Sequence, residues 1–317
     1  MKIQEIYELA VKEGMKADPR SKEELNRVLR KAKEEYENLK DDEKEFFDPE
    51  KFNNPYSDTR ILVGDPSAEV KSLFCGIDIE VGEVLLADRL KEKGENIDLL
   101  LAHHPEGKSL VGLPGVMKVQ ADIWHREGVP INIGDVLIDK RMKEVNRSLM
   151  PINHNRAVDA AKLLGIPFMN VHTPADNMVN SFLQKSIDEL SPYTVKDVIN
   201  FLRKIPEYNA AAKMGAGPTI LVGDGGKRAG RVVVDMTGGT EGPEEVLEKL
   251  ANAGVGTIVG MHMGNKLRKK AEKYHINVVI AGHIASDNIG LNLFLDKLEE
   301  KGIKVIPCSG FARTSRL

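Results

Sequence analysis

Two adjacent histidines, His103 and His104, follow an apolar run from Ile97 to Ala102 that is typical of a buried strand, and Pro105 ends the run directly after them. In open α/β sheets, ligands bind in the crevice beyond the carboxyl ends of the strands. Imidazoles at such a strand end are better placed to bind a ligand than to pack in a core. On this segment alone, a purely structural role for the pair stays open.

The pattern His-x-x-x-Asp occurs twice, each time after a strand-like run. His172 precedes Asp176, and His283 precedes Asp287. Each Asp falls in the first turn of a predicted helix, about one turn from its His, so that both side chains can reach one ion. An acidic residue in a first turn also stabilises a helix without any metal, and helix capping is the alternative interpretation.

Capping does not explain why a histidine precedes the aspartate twice. Neutral imidazoles and carboxylates are the ligands of divalent transition metals in sites that activate water. Three histidines with two carboxylates exceed one tetrahedral site but suit two metals that share ligands. The pattern therefore predicts a metal site formed by strand ends and helix starts.

Composition and charge limit the classes of protein to which the chain can belong. It has 317 residues, 41% of them hydrophobic, and a formal net charge of -3, so that a nucleic-acid partner is not expected. Cys75 and Cys308 are far apart in the sequence and predict neither a disulfide framework nor a thiolate zinc site. No secretory apolar core and no run of about 18 apolar residues is present, so we expect a cytoplasmic protein without a membrane partner.

The elements that must position the histidines are predicted to be strands and helices in alternation, an α/β fold. The first 55 residues are charge-rich and predict a helical N-terminal extension, in which Ser21 and Glu24 form a capping-box pattern. Residues 56–210 are predicted to form a first α/β lobe with a helical insertion. Residues 211–317 are predicted to form a second α/β lobe.

A sequence pattern that occurs twice in the chain, here called the echo, supports two related lobes. The run Ile61 to Asp65 recurs with the same residue types as Ile220 to Asp224, and later apolar runs end at His104 and His262. Chance similarity is the alternative. If the echo reflects a duplication, two similar lobes face each other and histidine-tipped strands line the cleft between them.

These motifs carry a resemblance to a known family. The segments Asp98 to Pro105 and Val171 to Asp176, and Ala281 to His283 with a carboxylate four residues on, resemble the three motifs of the NIF-three-like family. Many members of this family are named GTP cyclohydrolase I type 2 homologues. The resemblance extends in blocks from Ile61 to Leu298 and implies two similar α/β lobes around a dinuclear metal site. It also implies a homo-oligomer, commonly a ring of six.

The resemblance implies a set of metal ligands with His172 nearby as an alternate ligand or a support for one; the ligands are His103, His104, Asp176, His283 and Asp287. The family usually has Glu where this chain has Asp287. Whether the shorter side chain of Asp287 can reach a bridging position between two metals stays open. His262 lines up with His104 in the echo but not with a usual ligand of the family. It either compensates for Asp287 or sits in the core, and the core is the favoured interpretation.

The leading hypothesis is a dinuclear metal-dependent hydrolase in which two ions activate a water molecule. The ions would be zinc, iron, manganese or nickel, and His172 or His262 would carry a proton. By resemblance, the substrate is a small molecule such as GTP or another phosphorylated heterocycle. The alternative is a non-catalytic metal-binding or metal-handling protein, or an interaction scaffold.

Two further segments carry expectations of their own. The glycine-rich stretch Gly223 to Gly230 lies between two strand-like runs and predicts a hairpin turn rather than a phosphate-binding loop. Arg313 and Arg316, in the C-terminal tail, could enter the cleft, although nothing in the sequence shows this.

Overall fold

The computed structural model describes residues 1–317 and is a mixed α/β structure with two sheets. The strands are β1 Arg60–Val63, β2 Ser72–Gly76, β3 Leu99–Ala102, β4 Phe168–Asn170, β5 Thr219–Val222, β6 Arg231–Asp235, β7 Val255–Gly260, β8 Asn277–Ile280 and β9 Lys304–Cys308. No helix is both long and apolar enough to cross a membrane.

The helices cover the faces of these sheets and supply most of the connections. They are α1 Ile3–Ala17, α2 Lys22–Asn38, α3 Asp41–Lys44, α4 Val81–Glu92, α5 Gly107–Val116, α6 Val119–Arg126, α7 Ile131–Leu149, α8 Arg156–Leu163, α9 Thr173–Leu190, α10 Val195–Leu202, α11 Pro206–Lys213, α12 Val246–Asn252, α13 Asn265–Lys273 and α14 His283–Glu299, with a short 3-10 helix at Pro49–Phe52.

The first sheet has the strand order β1-β4-β3-β2-β9, and only β1 runs antiparallel to its neighbour. Every residue of β2 and β3 is buried. Parallel strands covered on both faces read as continuous apolar runs, which is why the sequence before His103 identified β3 without alternation. The parallel order also places the carboxyl ends of β2, β3 and β4 along one edge of the sheet.

The second sheet has the order β5-β8-β7-β6, again with one antiparallel edge strand, β5. Its edge strand β5 has the same register irregularity as β1, the edge strand of the first sheet. Between Ile61 and Val63 the pairing with β4 shifts by one residue, and between Ile220 and Val222 the pairing with β8 shifts in the same way. The residues of the sequence echo therefore occupy the same positions in the two sheets.

Two segments lie elsewhere than the sequence indicated, and one helix of the N-terminal extension joins the core. Residues 304–308, placed in the second lobe, form β9 and pair with β2 in the first sheet. The expected hairpin at 223–230 is wrong, because β5 and β6 lie at opposite edges of their sheet. In the N-terminal segment, Ile3 and Ile6 of α1 are fully buried in the core of the first sheet, whereas α2 buries only Leu25 and Ala32.

Helices α9 and α14 pack side by side between the two sheets, and their apolar residues belong to both adjoining cores. Their approach is so close that a Cβ atom at Gly290 would collide with the carbonyl oxygen of Ala175. The amino-terminal halves of the two helices consequently lie near each other and hold the two His-x-x-x-Asp patterns. Asp176 is in the first turn of α9, as expected, but Asp287 lies just beyond the first turn of α14, because that helix begins at His283.

Candidate metal centre

The predicted metal ligands meet where β3, α9 and α14 come together. His103 Nε2 lies 3.3 Å from Asp176 Oδ1 and 3.5 Å from Asp287 Oδ1. His104 Nε2 lies 3.5 Å from Asp287 Oδ2, and His283 Nε2 lies 3.6 Å from the same oxygen. Residues separated by nearly 200 positions in the chain thus form one cluster, with Asp287 at its centre.

His172 belongs to the same cluster, because its Nε2 atom lies 3.8 Å from Asp176 Oδ2 and its ring centroid lies 4.9 Å from that of His103. Two groups of three bring one ligand atom from each residue within 4.8 Å of the others. The groups are His103, His172 and Asp176, and His103, His104 and Asp287. His283 belongs to neither group.

Three of these imidazoles are held by their Nδ1 atoms. That of His103 lies 3.0 Å from the carbonyl oxygen of Val171, that of His104 lies 2.7 Å from Asp78 Oδ1, and that of His172 lies 2.7 Å from Asp58 Oδ2. An oxygen acceptor holds the proton on Nδ1 and leaves the lone pair of a neutral ring on Nε2. Metal-binding histidines are supported in this way.

Four atoms at the centre of the cluster are buried and have no hydrogen-bond partner: His103 Nε2, Asp176 Oδ1, and both carboxylate oxygens of Asp287. Buried polar atoms in proteins are almost always partnered, and each exception needs a reason. Imidazole nitrogen and carboxylate oxygen together suit divalent transition metals. The buried His/Asp groups of this chain could therefore bind metal ions.

The charges of these side chains shift one another's pKa values. Burial alone lowers the pKa of His104, but the nearby carboxylates of Asp287 and Asp78 outweigh it and raise the pKa to about 9. Burial alone raises the pKa of Asp287, yet His103 and His104 outweigh it and hold that pKa far below its ordinary value. Ligand histidines bind a metal in their neutral form, so an ion bound at this cluster would displace protons from them.

His262 lines the cleft beside this cluster, so the interpretation as a core residue is wrong. Its side chain is 49% exposed, its ring centroid lies 5.0 Å from that of His283, and its Nδ1 atom lies 3.0 Å from Glu241 Oε1. Glu241 also accepts a hydrogen bond from the backbone N–H of Gly264. The position after β7 directs this imidazole into the opening between the sheets.

A cleft of about 410 Å³ opens onto the cluster and is lined by both halves of the chain, from Asp78 and His104 on one side to Asp235 and His262 on the other. Although Asp235 is open to this cleft, burial by its walls raises its pKa to about 6. A larger groove of about 1010 Å³ follows α1 but contains no histidine. The smaller cleft is the one that adjoins the metal-binding groups.

The two C-terminal arginines do not enter this cleft. Arg313 binds Asp296 and Glu299 on α14, and Arg316 binds Glu207 on α11. These ion pairs hold the C-terminal tail against α14 and α11. The tail therefore contributes no cation to the candidate site.

The two His-x-x-x-Asp patterns are not equivalent in the fold. Asn170 and Ile280 end their strands opposite Arg60 and Thr219, the first residues of the antiparallel edge strands. His172 stands two residues after Asn170, whereas His283 stands three residues after Ile280. His172 is the residue before α9, whereas His283 is the first residue of α14, so the two histidines approach the cluster differently.

No protein-family model and no curated protein sequence matches the chain. The fold does match solved structures. The crystal structure of a NIF3 superfamily protein from Sphaerobacter thermophilus aligns with a TM-score of 0.71 at 25% identity, covering 90% of this chain and 98% of that one. The predicted resemblance to the NIF3-like family is confirmed.

A second comparison shows the fold alone. Reduced HcgD from Methanocaldococcus jannaschii aligns with a TM-score of 0.52 at 15% identity, covering 87% of this chain and 96% of that chain. Both alignments cover almost the whole of the compared proteins, so the similarity of fold includes both sheets and their helices.

Sequence patterns missed the carboxylates that support the histidines in this chain. Asp58 precedes β1 and Asp78 follows β2, and Glu241 lies in the loop before α12. Asp78 had a sequence signal, since it follows a buried strand as His103 does. Asp58 and Glu241 lie in irregular segments and had none.

Proposed function

We propose that the protein is a dinuclear metal-dependent hydrolase. The observation that supports this most is the convergence of oriented Nε2 atoms on carboxylate oxygens that have no other partner. Two ions would be held by the five predicted ligands with His172 as a sixth; the set is His103, His104, His172, Asp176, His283 and Asp287. Zinc, iron, manganese and nickel all suit these donors.

Divalent ions bound there would act as Lewis acids and would acidify a water molecule. The chain itself would contribute orientation and proton transfer. Asp58 holds the Nδ1 atom of His172 and so directs its Nε2 atom toward Asp176, a position that favours a ligand over a proton carrier. His262, held by Glu241 and open to the cleft, is the better candidate for moving a proton.

The substrate would be a small molecule, since the cleft has a volume of about 410 Å³. Family resemblance implies GTP or another phosphorylated heterocycle. Hydrolysis would add the hydroxyl of water to one side of the broken bond and its proton to the other. His262 lies on the cleft wall from which that proton could be delivered.

The architecture would come from an internal duplication, with residues 56–210 and 211–317 as two lobes and residues 1–55 as an extension. The matching strand orders and register irregularities support this division. Strand β9 would belong to the second lobe by sequence but to the sheet of the first lobe by position, because it pairs with β2. A homo-oligomer in the cytoplasm, commonly a ring of six in this family, completes the proposal.

A metal-handling protein without turnover is the second candidate. It is favoured by the exposure of His283, whose side chain is 42% accessible and stands apart from the two groups of three. A ligand on the open side of a cluster would let an ion enter and leave. Metal exchange rates and turnover therefore separate the two candidates.

The test begins with metal content. We expect about two divalent ions per chain in the purified protein, and loss of at least one in His103→Ala and in Asp176→Ala. His125→Ala, at an exposed histidine on α6, is the matched control and should keep both ions. Full metal content in both site variants would refute the ligand assignment.

Turnover is measured next with the metal-loaded protein, GTP and a panel of phosphorylated and amino-substituted heterocycles. Product that disappears after chelation and in Asp176→Ala would support the hydrolase. Stoichiometric metal with no product from any compound would favour metal handling.

A further inference from the structure

Apart from its histidines, the cleft around the candidate metal centre is lined by ionisable side chains of one sign. Eighteen residues line it, and they include neither lysine nor arginine. Six of them are carboxylates: Asp78, Glu106, Asp176, Asp235, Glu241 and Asp287. Like charges along a concave wall add to one another and change the local concentration of charged solutes.

Bound metals would not neutralise this wall. Asp176 and Asp287, both more than nine-tenths buried and with unpartnered oxygens, face the centre of the cluster. Asp78 and Glu241 already hold His104 and His262. Two carboxylates then remain, one from each half of the chain and each without a side-chain hydrogen bond: Glu106 and Asp235.

The nearby arginines and lysines do not line the cleft. Arg156, whose charge acts on Glu106, lies outside the lining. Arg141 donates to the backbone carbonyl of Glu241 and pairs with Glu144, and Lys108 pairs with Asp48. Phosphate groups in proteins are bound by arginine forks, lysines or free helix N-termini. Two helices start at the cluster. The start of α9 carries Asp176 in its first turn, and Asp287 follows the first residue of α14 by four positions, so each start has a carboxylate beside it.

We infer that the substrate of this cleft carries a positively charged amino or guanidino group, which binds between Glu106 and Asp235, and not a phosphate. The inference rests on the proposed function for the reaction at the metals. Four apolar side chains would contact the body of the molecule, and they are Leu110, Leu113, Met236 and Met261. Exclusion of anions by like charge adds specificity without any further contact.

The test uses two probes that share a ring and differ in charge, benzylamine and benzyl phosphate. Each is titrated into the full-length, zinc-loaded protein by calorimetry. We expect benzylamine to bind about tenfold more tightly than benzyl phosphate, and the double variant Glu106→Gln, Asp235→Asn to weaken benzylamine by about tenfold. A charge-matched control, Glu23→Gln with Asp42→Asn on the exposed N-terminal helices, should bind benzylamine as the wild type does.

Tighter binding of benzyl phosphate, binding of neither probe, or an unaltered affinity in a folded double variant would each overturn the inference. Melting temperatures of all variants verify folding. Metal content is measured on the same samples and judges the proposed function separately. A protein that binds no metal but still prefers benzylamine refutes the hydrolase and supports the charge preference, whereas a metal-loaded protein that prefers benzyl phosphate does the reverse.

Discussion

The Nδ1 atom of His172 lies 2.7 Å from Oδ2 of Asp58, although 114 residues separate the two along the chain. Thr173 donates its hydroxyl to the same oxygen at 2.6 Å. The side chain of Asp58 is fully buried. The loop before β1 therefore fixes the start of α9, where a metal ligand would have to be held.

We expect Asp58→Asn to lower metal affinity by about 10- to 100-fold without unfolding the protein, because the support of a metal-binding histidine would be weakened. Competition with a chromophoric chelator measures the affinity. Asp65→Asn is the control, since Asp65 is exposed and binds only Ser67 within its own turn. Equal affinities in wild type and Asp58→Asn would contradict a supporting role for Asp58.

Metal should raise the thermal stability of the protein, because an ion that binds only the folded state stabilises it by mass action. A hundredfold excess over the dissociation constant corresponds to about 2.7 kcal/mol, which would raise the melting temperature by roughly 5 °C. Asp287→Asn should lose most of this increase, since Asp287 supplies the central carboxylate. Scanning calorimetry with metal and with chelator gives the two temperatures.

Asp159→Asn, at an exposed position on α8, should respond to metal as the wild type does. The melting temperature of wild type should also fall when chelator removes the ion. A response to metal that is the same in Asp287→Asn would show that the ion binds elsewhere.

Asp48 should stabilise the fold in a pH-dependent way. Its carboxylate lies 2.9 Å from the guanidinium of Arg60, whose side chain is 1% exposed, and 2.9 Å from Lys108. Burial alone would raise the pKa of Asp48, but Lys108 and Arg60 outweigh it and hold the pKa below its ordinary value of 3.8. We expect Asp48→Asn to cost about 2 kcal/mol near neutral pH, less than a fully buried pair, because Asp48 is partly exposed.

The sign of this pH dependence follows from the depressed pKa. The stabilisation is present above the unfolded pKa of Asp48 and is lost as the pH falls through the lower, folded value. Urea unfolding of wild type and Asp48→Asn should therefore differ by a constant amount from about pH 5 to 8, and the two should converge only as the pH falls well below 3.8. Asp41→Asn, at a fully exposed side chain, should show no such difference.

Gln184 on α9 should protect the free edge of the second sheet. Its Oε1 accepts the backbone N–H of Val234 at 2.8 Å, and its Nε2 donates to the carbonyl of Val232 at 3.2 Å. We expect Gln184→Met to cost about 1 to 3 kcal/mol, because these backbone groups of β6 lose their partners. Hydrogen exchange should become faster at Val234, and Lys185→Met is the exposed control.

Much of the candidate site could be predicted from the sequence because its motifs are local. The apolar run before His103 indicates a buried parallel strand, and the positions of Asp176 and Asp287 follow from helix periodicity. The echo of Ile61 at Ile220 also corresponds to equivalent positions in the two sheets. Each of these signals lies within a few residues of the side chain that it places.

Other features depend on contacts that leave no local pattern. The pairing of β9 with β2 joins residues more than 200 positions apart, and the separation of β5 from β6 depends on the order of the whole sheet. His262 has the same apolar run before it whether it faces the core or the cleft. The position of the opposite lobe decides that.

The sequence by itself determined which residue types could bind metal and that they stand at strand ends and helix starts. Only the tertiary structure decided that Asp58, Asp78 and Glu241 hold the imidazoles, and that His172 and His283 enter the cluster one residue out of register. The reason is physical. Helix and strand periods are fixed by neighbouring residues, whereas the partner of a buried polar atom is chosen by how distant segments pack.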